Sequence, residues 1–130
     1  VITRRDARRI AIDILYQSDV TGEDPTTTLA SWVEAGRPVP GFARELVEGV
    51  DRHGPAIDTL LEEHAESWTV SRMAVLDRTI LRVAIEELRY RDDVPDSVAI
   101  SEAVEAASEL SADESRAFVN GILGRIASEP

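Results

Sequence analysis

The stretch from Met73 to Arg91, MAVLDRTILRVAIEELRYR, constrains the fold more than any other part of the chain. At about 100° per residue, Arg78, Arg82, Glu86 and Arg89 fall on one narrow polar stripe. The remaining arc carries Met73, Leu76, Ile80, Leu81, Val83, Ala84, Ile85 and Leu88. That arc is far wider than the ~100° apolar stripe of a surface helix. Such a helix has neighbours on at least two sides, which places it at the centre of an all-helical domain. Asp77 and Glu87 lie inside the apolar arc. A carboxylate there is costly to bury alone. Each therefore needs an arginine partner, a helix N-terminus, or an open surface awaiting a ligand.

The rest of the chain reads as further helices. Thr3 can cap the first, with Asp6 three residues on completing a capping-box-like pair. That helix runs to about Asp19 and buries Ala7, Ile10, Ala11 and Ile14. Thr21 to Pro25 forms a turn, with Asp24 and Pro25 suited to N-cap and N1 of a short helix reaching Ala35. Residues 36–41, GRPVPG, break the chain. Phe42, Leu46, Val47 and Val50 mark a third helix ending at His53-Gly54, and Pro55 opens a fourth with Ile57, Leu60 and Leu61 inward. The central helix follows Trp68-Thr69, and Pro95 stops it by disfavouring helix at the residue before. A sixth, Ser97 to Leu110, buries Ile100, Ala103, Val104 and Ala107 and shows Glu102, Glu105 and Glu109 to solvent. Ser111 and Glu114 form a capping box for the last helix, whose Phe118, Val119, Ile122, Leu123 and Ile126 point inward. No segment alternates with period two, so no strand is expected. The expected fold is all-α: about seven helices in two packed bundles, roughly 1–54 and 55–130, in one compact domain.

Charge sets the next constraint. The 130 residues carry a net −11, which on its face disfavours a nucleic-acid partner. The distribution says otherwise. Residues 1–11 hold Arg4, Arg5, Arg8 and Arg9 against Asp6 alone, a local +3 that leaves −14 for the remainder. Such asymmetry is a recognised hint of nucleic-acid contact. The four arginines spread over about 140° on the outer side of the first helix, and Ile12 and Tyr16 continue that face. Basic residues running into an exposed aromatic suit a single strand whose phosphates are held and whose base is stacked. The competing reading is a solvated arginine face beside a tyrosine that simply packs.

Catalytic constellations are missing. His53 and His64 are eleven residues apart and lack the i, i+4 pairing of a helical zinc motif. Ser71, Ser108 and Ser111 have no base partner in the pattern. The GxxG spacing of Gly121 to Gly124 sits inside a helical apolar pattern and reads as helix packing, not an RNA clamp. Neither enzymatic activity nor a metal or cofactor is expected. Cysteine is absent, no apolar run approaches the ~20 residues of a membrane span, and no signal-peptide pattern appears. The expected setting is the cytoplasm, without a membrane partner.

Four strings together resemble one family. RRDARRIAIDILYQSD at 4–19 resembles the arginine-rich first helix of the NusB transcription antitermination factors. VLDRTILRVAIEEL at 75–88 is similar to their central helix, DVPDSVAISEAVEAASEL at 93–110 to the next, and SADESRAFVNGILGRI at 111–126 to the closing helix. The match spans essentially the whole chain in order, with residues 20–68 its least similar part. The resemblance implies two packed helical bundles and binding of the single-stranded boxA element of ribosomal RNA operon leaders. Ribosomal protein NusE and the RNA polymerase antitermination complex are the implied partners, and no reaction is catalysed. By position, Arg4, Arg5 and Arg8 match the family's basic stretch, Tyr16 its helix-one tyrosine and Phe118 its closing aromatic. Arg9 extends the basic run as an RNA-binding candidate. Asp6 departs from the pattern by placing an acid within that run. Asp77 and Glu87 are the candidates for partner binding.

Two alternatives stand beside this. A similar helical domain forms the N-terminus of ribosomal RNA cytosine methyltransferases, and the end of the sequence at Pro130 without a cofactor-binding domain favours the free-standing factor. The other is a helical adaptor that forms a homodimer and never meets RNA.

Overall fold

The computed structural model describes residues 2–66 and 69–129. Among them are seven α-helices and one 3₁₀ turn, with no strand. The helices are α1 (Arg4–Thr21), α2 (Pro25–Glu34), α3 (Gly41–Arg52), α4 (Gly54–His64), α5 (Val75–Tyr90), α6 (Asp96–Leu110) and α7 (Ser115–Ala127). The 3₁₀ turn spans Val70–Arg72, just before α5.

The helix ends follow local chemistry. Thr3 Oγ1 accepts from the Asp6 N–H at 3.1 Å and Asp6 accepts in return from the Thr3 N–H at 3.3 Å, so the expected capping box is present. This also accounts for an acid within the arginine run: Asp6 closes the helix start. Gly22, with φ 77°, ends α1 in the left-handed conformation glycine adopts without strain. Asp24 precedes α2 as expected, but its carboxylate accepts from the Thr26 hydroxyl and makes no side-chain cap. The central helix starts at Val75, not Met73. Met73 is extended and its N–H closes the 3₁₀ turn on the Val70 carbonyl, which separates it from α5. Trp68, expected to precede this helix, lies outside the described residues. The second expected capping box does not form. Ser111 is extended and its hydroxyl turns to Asp77, so α7 begins four residues later.

α5 is central, as its wide apolar arc predicts. It packs against α1, α3, α4, α6 and α7, while α1, α2 and α3 pack among themselves and α7 lies against α4 and α6. Ile80, Leu81, Ala84 and Ile85 are buried in one continuous core, each large apolar side chain contributing about 1.5–3 kcal/mol. The polar stripe of α5 is a seam, not a solvated edge. Arg78 grips Asp19 of α1 with bonds of 2.7 and 2.8 Å, and Arg82 grips Asp58 of α4 at 2.9 and 3.0 Å. These are forked guanidinium–carboxylate pairs, stronger and more directional than single bonds. Arg78 accordingly holds the Asp19 carboxyl below its ordinary pKa. Glu86 bonds His53 Nδ1 at 2.7 Å, and Arg89 donates to the Ile126 carbonyl. Gly49 makes room for this seam, because a β-carbon there would collide with the Glu86 carboxylate.

His64 ties the end of the chain to α4. Its Nδ1–H donates to the Leu60 carbonyl at 2.8 Å and its Nε2–H to Glu129 at 2.7 Å. Both partners are acceptors and favour the protonated ring, and the bond to Leu60 leads in raising its pKa. A raised folded-state value stabilises the fold fully below the unfolded value of about 6.5, and that stability is lost as pH rises through the higher folded value. Urea midpoints should therefore fall between about pH 6 and about pH 8 by more in the wild type than in His64→Gln. Parallel curves for the two proteins would remove the imidazolium from the fold.

Candidate nucleic-acid interface

The first two turns of α1 carry the arginines, and the structure separates them by role. Arg8 is buried against α5, contrary to its expected place off the buried face. Its Nε donates to both Glu87 oxygens, at 2.9 and 3.0 Å, and Nη1 reaches Glu102 Oε1 at 3.4 Å. The Arg8 and Glu87 side chains are 8% and 1% exposed. Glu87 therefore takes the first of its three options, an arginine partner, and offers no carboxylate to another protein. Ile12 is buried as well, because α5 and α6 cover that side of α1. The outer face is narrower than the wheel alone suggests.

What remains outside is Arg4, Arg5, Arg9 and Tyr16. The Arg5 side chain is 61% exposed and Tyr16 41%. Arg5, Arg9 and Tyr16 recur at spacings of four and seven residues, which stacks them along one line of the helix. Each arginine is nonetheless met by an acid. Arg4 Nη2 lies 2.6 Å from Asp93, Arg5 Nη2 3.1 Å from Glu102 and Arg9 Nη1 2.9 Å from Glu109. Glu102 is thus not a solvated residue of the sixth helix but the hub between Arg5 and Arg8. The Phe42 ring of α3 backs this end of the site, with the Arg4, Arg8 and Arg91 guanidiniums 4.3, 5.3 and 5.0 Å from its centroid. Such distances fit cation–π contact. Phe42, Asp93 and the acids of α6 are the residues that reading α1 alone misses. The signal for the acids is the spacing of Glu102 and Glu109, two turns apart on a helix running beside the arginines.

The other two candidates meet at one groove. Phe118 of α7 is half-buried and lines an open groove of about 470 Å³ with Arg72, Met73, Ala74, Asp77 and Ser115. Asp77, in the first turn of α5, accepts from the Ser111 hydroxyl at 2.6 Å and the Ser115 hydroxyl at 2.9 Å. It is a satisfied, nearly buried acid whose serine partners fasten the start of α7 to α5. Among the described residues, no cluster of three or more His, Cys, Asp or Glu side chains is arranged to hold a metal ion. No helix among them is long and apolar enough to cross a membrane.

The arrangement defines a class: an all-α domain with an arginine-faced first helix docked on a central one. A family model described as the NusB family matches residues 5–128, and the chain belongs to that family. It is 50% identical over 127 residues to the transcription antitermination protein NusB of Saccharopolyspora erythraea, covering 95% of this chain and 86% of that protein. It is 47% identical over 128 residues to the NusB of Salinispora tropica, covering 95% and 94%. Among solved structures it superposes on T. maritima NusB with a TM-score of 0.88 at 34% identity, covering 98% of this chain and 92% of that one. It also matches a crystal structure of antitermination factors NusB and NusE in complex with dsRNA, with a TM-score of 0.84 at 26% identity and 95% of each chain covered.

The burial of Arg8 and Glu87 sets an expected outcome for mutation. Arg8→Ala leaves a carboxylate in the core without its partner and should cost about 3–5 kcal/mol. Arg5→Ala removes one exposed pair and should cost less than about 1 kcal/mol. Denaturant titration of the two variants checks this, and similar small losses for both would mean that Arg8 is not part of the core.

Proposed function

We propose that this protein is a cytoplasmic transcription antitermination factor that binds boxA RNA of ribosomal RNA operons together with ribosomal protein NusE. In that complex it helps RNA polymerase read through terminators, acting by binding and catalysing no reaction. The observation that carries this reading is family membership over residues 5–128 joined to the line of exposed Arg5, half-buried Arg9 and exposed Tyr16 on α1. Relatives 50% and 47% identical to this chain are named transcription antitermination proteins, which supports that reading over a methyltransferase module.

The residues divide the work as follows. Arg4, Arg5 and Arg9 hold phosphates, and Tyr16 stacks a base. Phe118 extends the RNA surface to the groove between the starts of α5 and α7. NusE docks at that same groove, over Arg72, Met73 and the edge of Asp77. Arg8 and Glu87 contribute by holding α1 in place and touch neither partner. With RNA at one edge of the groove and NusE at the other, contacts between the two let each favour the other's binding. A body of net −11 repels phosphate, so the partner's added interactions matter.

A salt-dependent titration tests the reading, using single-stranded boxA RNA, the matching duplex and an unrelated single strand. The wild type should favour the boxA strand. NusE should add a coupling of about 1–3 kcal/mol, equal in either order of addition. Arg5→Ala/Arg9→Ala should flatten the slope of log K against log salt by roughly 0.7 for each phosphate no longer neutralised. Unchanged affinity and slope in that variant would take α1 out of the RNA site. Equal RNA affinity with and without NusE would remove the coupling.

A further inference from the structure

The arginine face is already occupied by the protein itself. Within the first two turns of α1, Arg4, Arg5, Arg8 and Arg9 meet Asp93, Glu102, Glu87 and Glu109, so the stretch that reads as basic in the sequence is neutralised in the fold. The Arg4–Asp93 and Arg9–Glu109 pairs lie at the surface, whereas the Glu102 side chain is 14% exposed and shared between Arg5 and Arg8. The acids come from one neighbourhood, Asp93 between α5 and α6, Glu102 and Glu109 on α6. A carboxylate and a phosphate compete for the same forked N–H donors of a guanidinium.

We propose that Asp93, Glu102 and Glu109 are built-in competitors of RNA phosphate. They hold the guanidiniums of Arg4, Arg5 and Arg9 in the free protein, and RNA gains those cations only by displacing them. This rests on the RNA reading above and adds a regulatory element to that site. Exposed ion pairs of this kind open readily in water, so the acids weaken binding without blocking it. Asp93 and Glu109 also stay ionised near neutrality. Arg91 and Arg4 hold the Asp93 carboxyl down at about 2, and Arg9 holds that of Glu109 below its ordinary value. The functional consequence is a threshold. A stray phosphate must displace a tethered carboxylate whose effective concentration is high. A strand that engages Arg4, Arg5 and Arg9 together, steadied by a second protein, overcomes all three competitors at once.

A double-mutant cycle tests this with labelled single-stranded boxA RNA in the presence of NusE. Glu109→Gln should bind roughly two- to fivefold tighter than wild type, the range expected for freeing one exposed pair. The same substitution in an Arg9→Ala background should change nothing. Asp93→Asn read against Arg4→Ala should repeat the pattern, and thermal melts should stay close to wild type because both acids are about half exposed. An equal gain in both backgrounds would mean that the acid acts through the general field. No gain, or a loss, would mean that it orients the arginine for RNA. Either result overturns the proposal and leaves the RNA reading standing, since the wild type still binds. If neither the wild type nor any variant binds RNA with NusE present, the RNA reading falls and the proposal with it.

Discussion

The buried pair of Arg8 and Glu87 is the interaction on which the working face depends. Two charges removed from water cost several kcal/mol each, and only close geometry with further hydrogen bonds offsets that. Here the guanidinium forks onto both Glu87 oxygens and reaches Glu102 besides. The pair fixes the rotation of α1 about its own axis. With Arg8 turned inward, Arg9 sits about 100° to one side, Arg5 about 60° to the same side and Arg4 about 40° to the other. The exposed cations are thus aimed by the one that is hidden. At the other end of the helix the Asp19–Arg78 fork repeats the arrangement with the charges exchanged, so α1 is pinned to α5 near both ends.

Charge works at two scales in this protein. Over the whole surface a net −11 keeps phosphate away. At α1 the field is set by individual pairs, where each exposed arginine faces a carboxylate of α6 or of the segment before it. A short-range attraction set inside a long-range repulsion favours ligands that engage several cations together. That suits a factor meant to act within an assembly and to stay clear of RNA when alone.

Much of the fold was legible in the sequence. The width of the apolar arc around Ile80, Leu81 and Ile85 placed α5 at the centre, and Thr3 with Asp6 marked the start of α1. Pro25 and Pro95 punctuated the helices where expected, while α1 runs two residues past the expected end at Asp19, to Thr21. The site was less legible, for a physical reason. A helical wheel describes one helix, whereas burial depends on which helix lies beside it. α6 covers the side of α1 that bears Ile12, and Arg8 finds its acid 79 residues away on α5. Ser111 followed by Glu114 carries a capping signal, but the Ser111 hydroxyl donates to the buried Asp77 carboxylate, which turns the side chain away from the backbone N–H groups it would have capped. Of the options framed for the two acids, Glu87 takes the arginine partner, while Asp77 is met by two serine hydroxyls that the sequence did not point to, because they come from the start of α7 and the segment before it.

The central claim is that Arg8 positions α1 while its exposed neighbours meet RNA. The most direct measurement replaces the buried pair as a unit, with Arg8→Met and Glu87→Leu together, and follows boxA RNA binding with NusE across a salt series. Exchanging a buried ion pair for apolar side chains of similar volume is often neutral or stabilising, so the double variant should stay folded. Its RNA affinity and salt slope should match the wild type, because Arg4, Arg5 and Arg9 are kept. A slope flattened by about 0.7 would mean that Arg8 itself neutralises a phosphate, and would contradict the claim.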